Sequence, residues 1–379
     1  MKKILLLSIV ALASCSQTSK TKPTQEAPQP PEMSQKTQAE TETVALLTDV
    51  NQLTFAGKRS GEAYFSADGS ELIFQSERDD DNPFYQIFKM DLETGDVERV
   101  SNGVGKTTCS WIHPDGDKII YASTHLDPQA KQKQHDELGF RASGKTRRYS
   151  WDYDENYDLF VKENGQLKRM TKALGYDAEG SYSPDGKWIV FSSNRNGYNQ
   201  KAKELTQEQR NIFNKDPSYL MDIYIMKADG SQLKQLTNYM GYDGGPFISP
   251  DSQKVIWRRF AVDGMTAEVY AMNLDGSDKK QLTHTHTMNW APYYHPSQKY
   301  IIYTTNTQGF ANFELYIIDA QGKHKPVRVS FLDGFDGLPV FTPDGDEVYW
   351  TRKKDNNDVS QVYRANWNHQ AALKALDLK

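Results

Sequence analysis

Apolar and polar positions alternate along the chain in short runs, and one such run recurs six times. Each copy contains a strand-like segment, a turn and a second strand-like segment. The copies are FSADGSELIF (65–74), IHPDGDKIIY (112–121), YSPDGKWIVF (182–191), ISPDSQKVIW (248–257), YHPSQKYIIY (294–303) and FTPDGDEVYW (341–350). Proline presets φ for the turn, aspartate favours its next position, and glycine supplies the positive φ that follows. The alternating flanks, rich in β-branched and aromatic residues, therefore predict a β-hairpin in each copy.

A third strand-like segment follows each hairpin. These segments are QIFKMD (86–91), DLFVKE (158–163), DIYIMK (222–227), EVYAMN (268–273), ELYIID (314–319) and QVYRAN (361–366). In the first five units a short fourth segment comes next, such as LKQLT or KKQLT. Four short antiparallel strands repeated about every 47 residues are typical of a propeller blade, and six blades around an axis cover both faces of each sheet.

The sixth unit has no fourth segment, while a matching phrase, NQLTF (51–55), stands before the first unit. We therefore predict that this N-terminal strand completes the last blade beside QVYRA. Such pairing closes the ring and removes two exposed strand edges. The predicted fold is all-β, a six-bladed β-propeller with four antiparallel strands per blade over residues 47–368, followed by a short helical tail at 369–379.

These phrases resemble the repeat of TolB-like propellers, the propeller half of the Tol-Pal TolB family. The resemblance covers residues 47–368 and extends to longer phrases such as GYDAEGSYSPDG (175–186) and DGFDGLPVFTPDG (333–345). It implies a non-catalytic envelope protein that binds a protein or peptide partner, possible partners including a peptidoglycan-associated one. The α/β domain that precedes the propeller in that family is not expected here, where the segment ahead of the propeller is predicted to be a tether. An alternative is a carbohydrate-binding or polysaccharide-lyase-type propeller that uses the central channel.

The N-terminus has the pattern of a bacterial lipoprotein signal. Two lysines at 2–3 precede an apolar run at 4–12 that is too short to span a bilayer. The sequence LASC that follows resembles a lipobox, which predicts a signal peptide at 1–14 and lipidation of Cys15. An ordinary secretory signal is the alternative. Ser16 in the next position resembles the signal for outer-membrane sorting, so we expect a lipid-anchored envelope protein on the outer membrane that faces the periplasm.

Residues 15–46 are rich in Gln, Thr, Pro, Glu and Lys and lack hydrophobic periodicity. Such a segment buries too little apolar surface to fold, so we predict a disordered tether. The net charge of −5 makes nucleic acid an improbable partner. Cys109 is the only cysteine besides Cys15, so no intramolecular disulfide is expected, and its predicted role is that of a small buried side chain, with a reactive thiol as the alternative. A monomeric propeller is expected.

A candidate binding site emerges when the six turns are aligned. Eight residues before the aspartate position of each turn stands a small residue with a side-chain oxygen: Ser60, Thr107, Asp177, Asp243, Asn289 and Asp336. Two residues further on stand Glu62, Cys109, Glu179, Gly245, Ala291 and Leu338. These positions predict a polar, net acidic mouth of the central channel, suited to a basic peptide or to Ca²⁺. Local turns at strand starts are the structural alternative. No other cofactor is expected.

Two insertions interrupt the repeat, at about 126–151 and 198–220. The first is basic, and its candidate binding residues for an acidic partner, a glycan or lipid headgroups are Arg147, Arg148 and Trp151. A solvated loop is the alternative there. The second contains Thr206 followed by a glutamine three residues later, which predicts a capped helix on the rim. No catalytic residue is predicted, since the sequence contains no Gly-x-Ser-x-Gly, His-Glu-x-x-His or glycine-rich phosphate motif.

Overall fold

The computed structural model describes residues 45–145, 152–199, 205–353 and 359–379. Over these residues the chain forms six four-stranded antiparallel sheets. The predicted six-bladed β-propeller is therefore confirmed. In every blade the first strand of the repeat pairs with the second, the second with the third, and the third with a fourth.

The strands follow the repeat in chain order. The closing strand is β1 (Leu47–Gln52). Blade 1 contains β2 (Arg59–Phe65), β3 (Glu71–Glu77), β4 (Gln86–Asp91) and β5 (Val97–Arg99). Blade 2 contains β6 (Thr107–Ile112), β7 (Lys118–Ser123), β8 (Asp158–Glu163) and β9 (Gln166–Arg169). Blade 3 contains β10 (Ala178–Tyr182), β11 (Trp188–Ser193), β12 (Asp222–Lys227) and β13 (Lys234–Gln235).

Blade 4 contains β14 (Tyr242–Ile248), β15 (Lys254–Phe260), β16 (Ala267–Asn273) and β17 (Lys280–Gln281). Blade 5 contains β18 (Asn289–Tyr294), β19 (Tyr300–Thr305), β20 (Glu314–Asp319) and β21 (Val327–Arg328). Blade 6 contains β22 (Phe335–Phe341), β23 (Glu347–Lys353) and β24 (Gln361–Trp367). Its fourth strand is β1, so the sheet order of blade 6 is β1-β24-β23-β22.

Ring closure by the N-terminal strand is confirmed, but the strand lies earlier than the predicted 51–55. It pairs antiparallel with β24, with Leu47 opposite Trp367 and Gln52 opposite Tyr363. The strand ends at Gln52 because the next two amides both donate to the carbonyl oxygen of Val362, which turns the chain out of the ladder. It begins at Leu47 because that side chain packs against the core beside the last helix of the chain.

One hydrogen bond explains why the phrase QLT and its variants recur. In each blade an amide at the second or third residue of the third strand donates to a serine or threonine hydroxyl at the end of the fourth segment, at 2.9–3.0 Å. The accepting hydroxyls belong to Ser101, Thr171, Thr237, Thr283, Ser330 and Thr54. Thr54 makes this bond with blade 6, so the closing segment reproduces the contact of the other five blades.

The blades have two distinguishable ends. We call the end at which each innermost strand begins the mouth face, and the end that carries the hairpin turns the turn face. Because adjacent strands are antiparallel, the mouth face also carries the connections between second and third strands and those between successive blades. Both insertions are connections between a second and a third strand, in blades 2 and 3. They therefore lie on the mouth face.

The first insertion contains a helix, α1 (Ala130–Ala142), and not the solvated loop of the alternative interpretation. That interpretation is wrong over these residues. The segment consists largely of good helix formers, and two contacts hold it to the blades. Gln134 Oε1 accepts from the amide of Gly105 at 2.9 Å, and Arg141 donates to a carboxylate oxygen of Glu77 at 2.5 Å.

The second insertion forms α2 (Arg195–Tyr198), α3 (Gln207–Lys215) and a short 3₁₀ helix (Pro217–Tyr219). The predicted cap of α3 is confirmed, because Thr206 and Gln209 form a reciprocal capping box. The predicted helical tail is α4 (His369–Ala375). Across the described part of the chain, no helix has both the length and the apolar character needed to cross a membrane.

Candidate binding site on the mouth face

The six oxygen-bearing residues at the starts of the innermost strands are all buried, with at most 2% of each residue exposed. The three aspartates are each paired with an arginine of the same blade. The pairs are Asp177 with Arg195, Asp243 with Arg259, and Asp336 with Arg352, all with N–O distances of 2.6–2.7 Å. The charge of these carboxylates is therefore compensated inside the blades. Their contacts are local and structural, as expected if these residues stabilise the starts of the strands.

The three uncharged members of this set also bond within the protein. Ser60 Oγ lies 2.8 Å from Ser76 Oγ, and Thr107 Oγ1 donates to the carbonyl of Tyr85 at 2.8 Å. Asn289 Nδ2 lies within hydrogen-bonding distance of two oxygens in blade 4 and of one in the connection between blades 4 and 5. Among the described residues, no group of three or more His, Cys, Asp or Glu side chains could hold a metal ion. The structure therefore gives no support to the expected Ca²⁺ site, because each of the three carboxylates is paired with an arginine.

The second set of aligned residues shares an unusual backbone conformation. All six have φ between 49° and 57°, in the left-handed region: Glu62, Cys109, Glu179, Gly245, Ala291 and Leu338. At each of them the pairing between the first and second strand shifts register. A β-bulge re-aims the side chain that it carries. The sequence alignment found these positions but not the bulge.

Two of these bulges direct carboxylates across neighbouring blades. Glu179 of blade 3 accepts hydrogen bonds from Tyr242 Oη at 2.5 Å, from the amide of Gly245 at 2.6 Å and from Arg258 Nη2 at 2.7 Å, all in blade 4. Burial alone would raise the pKa of Glu179, but Arg258 and these hydrogen bonds outweigh it, so the pKa lies below its ordinary value. Glu179 is therefore ionised and paired at neutral pH. Sequence analysis missed Arg258, which lies on the second strand of blade 4, beside the bulge.

Glu62 has a different environment. Its Oε1 accepts from the thiol of Cys109 at 3.1 Å and from Tyr64 Oη at 3.3 Å, which are both neutral donors. Burial, and secondarily the nearby charge of Glu179, raise the pKa of Glu62. Burial also raises the pKa of the Cys109 thiol well above its ordinary value. Cys109 is therefore a protonated, buried thiol, as its structural interpretation predicts.

Aromatic rings fill the axis just beyond this level. They stand two residues further along four innermost strands: Tyr64, Trp111, Phe247 and Tyr293. Tyr64 and Phe247 belong to opposite blades, 1 and 4, and their ring centroids are 5.4 Å apart. Trp111 and Tyr293 also belong to opposite blades, at 6.4 Å. Rings from opposite blades can meet only at the axis, so the expected open channel is replaced by a recess with an aromatic floor.

Exposed large apolar side chains are concentrated on the mouth face. Of the fourteen in the described residues, ten lie in connections on this face: Phe55, Leu126, Leu174, Tyr219, Val262, Met265, Phe310, Phe331, Leu332 and Val359. Three of the other four lie on the outermost strands of their blades: Val50, Val97 and Leu167. The fourth, Leu233, ends the connection from β12 to β13 on the turn face. We call the ten residues the apolar rim.

The remaining predicted binding residues cannot be placed on this face individually. Arg147, Arg148 and Trp151 of the first insertion, and Cys15 of the lipobox, lie outside the described residues. The described part of that insertion, α1, lies on the mouth face.

Six four-stranded blades closed by an N-terminal strand define a six-bladed β-propeller with an exposed apolar rim on one face. Residues 245–375 match the family model described as the TolB beta propeller domain. The chain therefore has a TolB-like six-bladed β-propeller fold. It superimposes on the crystal structure of TolB from Acinetobacter baumannii with a TM-score of 0.53 and 17% identity, over 79% of this chain and 64% of that one.

Two curated relatives match shorter stretches. One is the uncharacterized peptidase YuxL of Bacillus subtilis, 30% identical over 158 residues, which are 37% of this chain and 23% of the relative. The other is the uncharacterized protein Atu1656 of Agrobacterium fabrum, 26% identical over 222 residues, which are 52% of this chain and 65% of the relative. The chain spans less than two thirds of the length of each of these relatives.

Proposed function

We propose that this chain is a non-catalytic propeller of the bacterial cell envelope whose mouth face binds a protein or peptide partner. The observation that carries the proposal is the apolar rim. Apolar side chains gathered on one face of a water-soluble fold are typical of an interaction surface. The rim side chains stand on connections between rigid blades, where binding residues are commonly placed.

The recess at the centre of the rim adds a polar feature to this surface. Glu62 receives hydrogen bonds from neutral donors, whereas Glu179 is paired with Arg258. A basic side chain of the partner could therefore form an ion pair with Glu62. This retains the expected preference for a basic segment, but assigns it to one carboxylate rather than to a ring of acids.

The direction of β1 fits an anchored protein. β24 begins on the mouth face, and β1 runs antiparallel to it, so β1 begins on the turn face. If Cys15 is lipidated, the tether at 15–46 joins the propeller on the face opposite the apolar rim. The rim then remains free to meet a partner across the periplasm, which includes a peptidoglycan-associated protein. TolB-like similarity supports the envelope location, and the lipobox supports anchoring to the outer membrane.

Site-specific photo-crosslinking in intact envelopes tests the proposal. A photoreactive residue at Phe310 or Phe331 on the rim is compared with one at Val97, an exposed apolar residue on the outermost strand of blade 1. We expect discrete adducts with a specific protein from the rim positions only. The same adducts from Val97, or none from the rim, would refute partner binding at the mouth face.

A further inference from the structure

A groove runs along the outer edge between blades 3 and 4, from the mouth face to the connection between β16 and β17 that carries Lys279. It consists of two cavities of about 520 Å³ and 410 Å³ that share Asn238 and Tyr239. Both volumes fall within the range of about 300–1,000 Å³ that is usual for ligand sites. The first cavity is also lined by Gln235, Leu236, Thr237, Arg259 and Lys279, and the second by Thr206, Gln209, Met240 and Val262. We call the two together the blade 3–4 groove.

Helix α3 forms one wall of the groove and is fixed in place. Its capping box satisfies the first turn, and Gln209 Nε2 donates to Asn238 Oδ1 in the groove floor at 2.7 Å. The opposite wall is the connection between β15 and β16, which carries Val262. Gly264 in that connection lies against the ring of Tyr219, so closely that an added Cβ would be 2.6 Å from a ring carbon. The groove is therefore preformed by the second insertion.

The two ends of the groove differ in chemistry. Met240 and Val262 line one end, and unbranched methionine adapts to the shape of an apolar ligand. Lys279, which is exposed, stands at the other end and donates to the backbone carbonyl of Gly276. Arg259 is close by, with its guanidinium carbon 4.0 Å from the centre of the Tyr239 ring.

The acids beneath the cationic end do not offset the charge of Lys279. The charge of Asp243 is compensated by Arg259, which donates one hydrogen bond to each of its carboxylate oxygens. Asp222 accepts hydrogen bonds from Gln235, Thr237 and the amide of Tyr239. Burial, followed by the charge of Asp243, raises the pKa of Asp222 to about 8, so this carboxyl is mostly protonated at neutral pH.

We infer that the blade 3–4 groove binds an extended peptide segment that places an apolar side chain at the Met240–Val262 end and a carboxylate at the Lys279 end. The inference rests on the proposed function, because the groove begins at the mouth face and a partner bound there would extend into it. We assign the carboxylate to an aspartate or glutamate side chain within the segment. A free C-terminus would offer Lys279 the same negatively charged oxygens and is an outcome that the test distinguishes.

Selection from random-peptide display libraries, with internal or free C-terminal display, tests the inference. The baits are the full chain and three variants: Val262→Asp, Lys279→Glu and the matched control Val97→Asp. All three substituted residues are exposed, so the variants should fold, which circular dichroism verifies. We expect the selected peptides to combine apolar residues with Asp, Glu or a free C-terminus.

The selected peptide is then synthesised with a fluorescent label, and its affinity is measured by anisotropy. Val262→Asp and Lys279→Glu should each weaken binding by roughly tenfold or more, the usual scale for a contact worth above 1.4 kcal/mol. Val97→Asp should leave the affinity unchanged. Amidation of the C-terminus separates the two carboxylate sources. Selection of lysine-rich peptides, an affinity unaffected by Val262→Asp, or no enrichment over the control would each overturn the inference.

The failure of this inference is distinguishable from failure of the proposed function. A partner crosslinked at Phe310 or Phe331 whose capture is unaffected by Val262→Asp would leave the mouth face as a binding surface and remove the groove from it. If no rim position gave an adduct while the selected peptides still lost affinity on Val262→Asp, the groove would remain a peptide-binding site and partner binding at the rim would be refuted.

Discussion

Thr54 Oγ1 donates a hydrogen bond to Gln361 Oε1 at 2.7 Å, across a sequence separation of 307 residues. The same hydroxyl accepts from the amide of Val362 at 2.9 Å. Within blade 3, Thr237 makes the equivalent bonds to Asp222 and Ile223 over about fifteen residues. The ring is therefore closed by the contacts that hold the interior of each blade, rather than by a separate device.

Thr54→Ala should lower the free energy of unfolding by about 1–3 kcal/mol, because a buried amide and a buried side-chain amide both lose their partner. Thr54→Ser keeps the hydroxyl and should retain most of the stability. Urea denaturation of both variants measures the difference. Equal losses in the two variants would show that the methyl group, and not the hydroxyl, supports closure.

Removal of residues 1–43 should leave the unfolding midpoint nearly unchanged, whereas removal of residues 1–52 should lower it strongly. The longer deletion removes β1 and exposes the edge of β24, which also favours aggregation. Thermal unfolding combined with light scattering compares the two chains. If they prove equally stable and soluble, β1 does not contribute to ring closure in solution.

Asp336 and Arg352 form a buried bidentate pair, with distances of 2.6 and 2.7 Å, and Trp350 Nε1 also donates to Asp336. Asp336→Ala leaves the guanidinium buried without its partner and should cost about 3–5 kcal/mol. The double variant Asp336→Leu with Arg352→Met should lose less than Asp336→Ala alone. A double-mutant cycle in urea checks this, and a double variant that loses more would contradict the assigned role of the pair.

Two equivalent bulge positions, Gly245 and Ala291, should differ in their tolerance of substitution. At Gly245, with φ of 57°, an added Cβ would lie 2.0 Å from Arg258 Nη1, so Gly245→Ala must displace that arginine from Glu179. It should destabilise the fold by about 1–3 kcal/mol. At Ala291, with φ of 49°, glycine relieves about 1–2 kcal/mol of left-handed strain.

The relief at Ala291 is offset by the lost methyl group and by backbone entropy of about 0.5–1 kcal/mol, so Ala291→Gly should be close to neutral. Thermal unfolding of the two variants side by side provides the comparison. Similar destabilisation by both would show that left-handed geometry at these bulges carries no measurable strain.

His295 and His369 are stacked on the turn face, with ring centroids 4.4 Å apart and planes 4° from parallel. Burial, followed by the neighbouring His369, lowers the pKa of His295 to about 4, from an unfolded value near 6.5. The neutral imidazole is favoured in the fold, so this contribution to stability is full above pH 6.5. It decreases as the pH falls toward 4.

The expected loss from His295 between pH 7 and pH 5 is roughly 1–2 kcal/mol. His295→Gln removes the titrating group and should make the dependence of the melting temperature on pH shallower over this interval. Parallel slopes for the wild-type chain and the variant would refute the assignment to His295. Comparison with the variant is necessary because Asp177 and Asp222, whose pKa values are raised, act in the opposite direction.

The blades were predictable because their determinants are local. Strand alternation and the Pro-Asp-Gly turn specify each hairpin, and counting then assigned the N-terminal phrase to blade 6. Extending the strand register outward from each hairpin turn places Asp243 opposite Arg259 and Asp336 opposite Arg352. Two of the three ion pairs could therefore have been predicted from the sequence. The bulges could not be predicted from the sequence, since the register shift depends on how the innermost strands pack around the axis. Helix α1 was missed because its capping residue, Gln129, gives no recognisable signal.

A final consequence concerns mechanical load. Residues 1–44 join the propeller beside Leu46, whose carbonyl accepts from the amide of Asn368 at 3.0 Å, just before α4. Tension on the N-terminus therefore reaches β1 first, at the end where Leu47 faces Trp367. The hydrogen bonds between β1 and β24 must break before force passes to the other strands of the propeller. The ring would open by peeling its closing strand, and the packing of α4 against that end sets the force at which it does so.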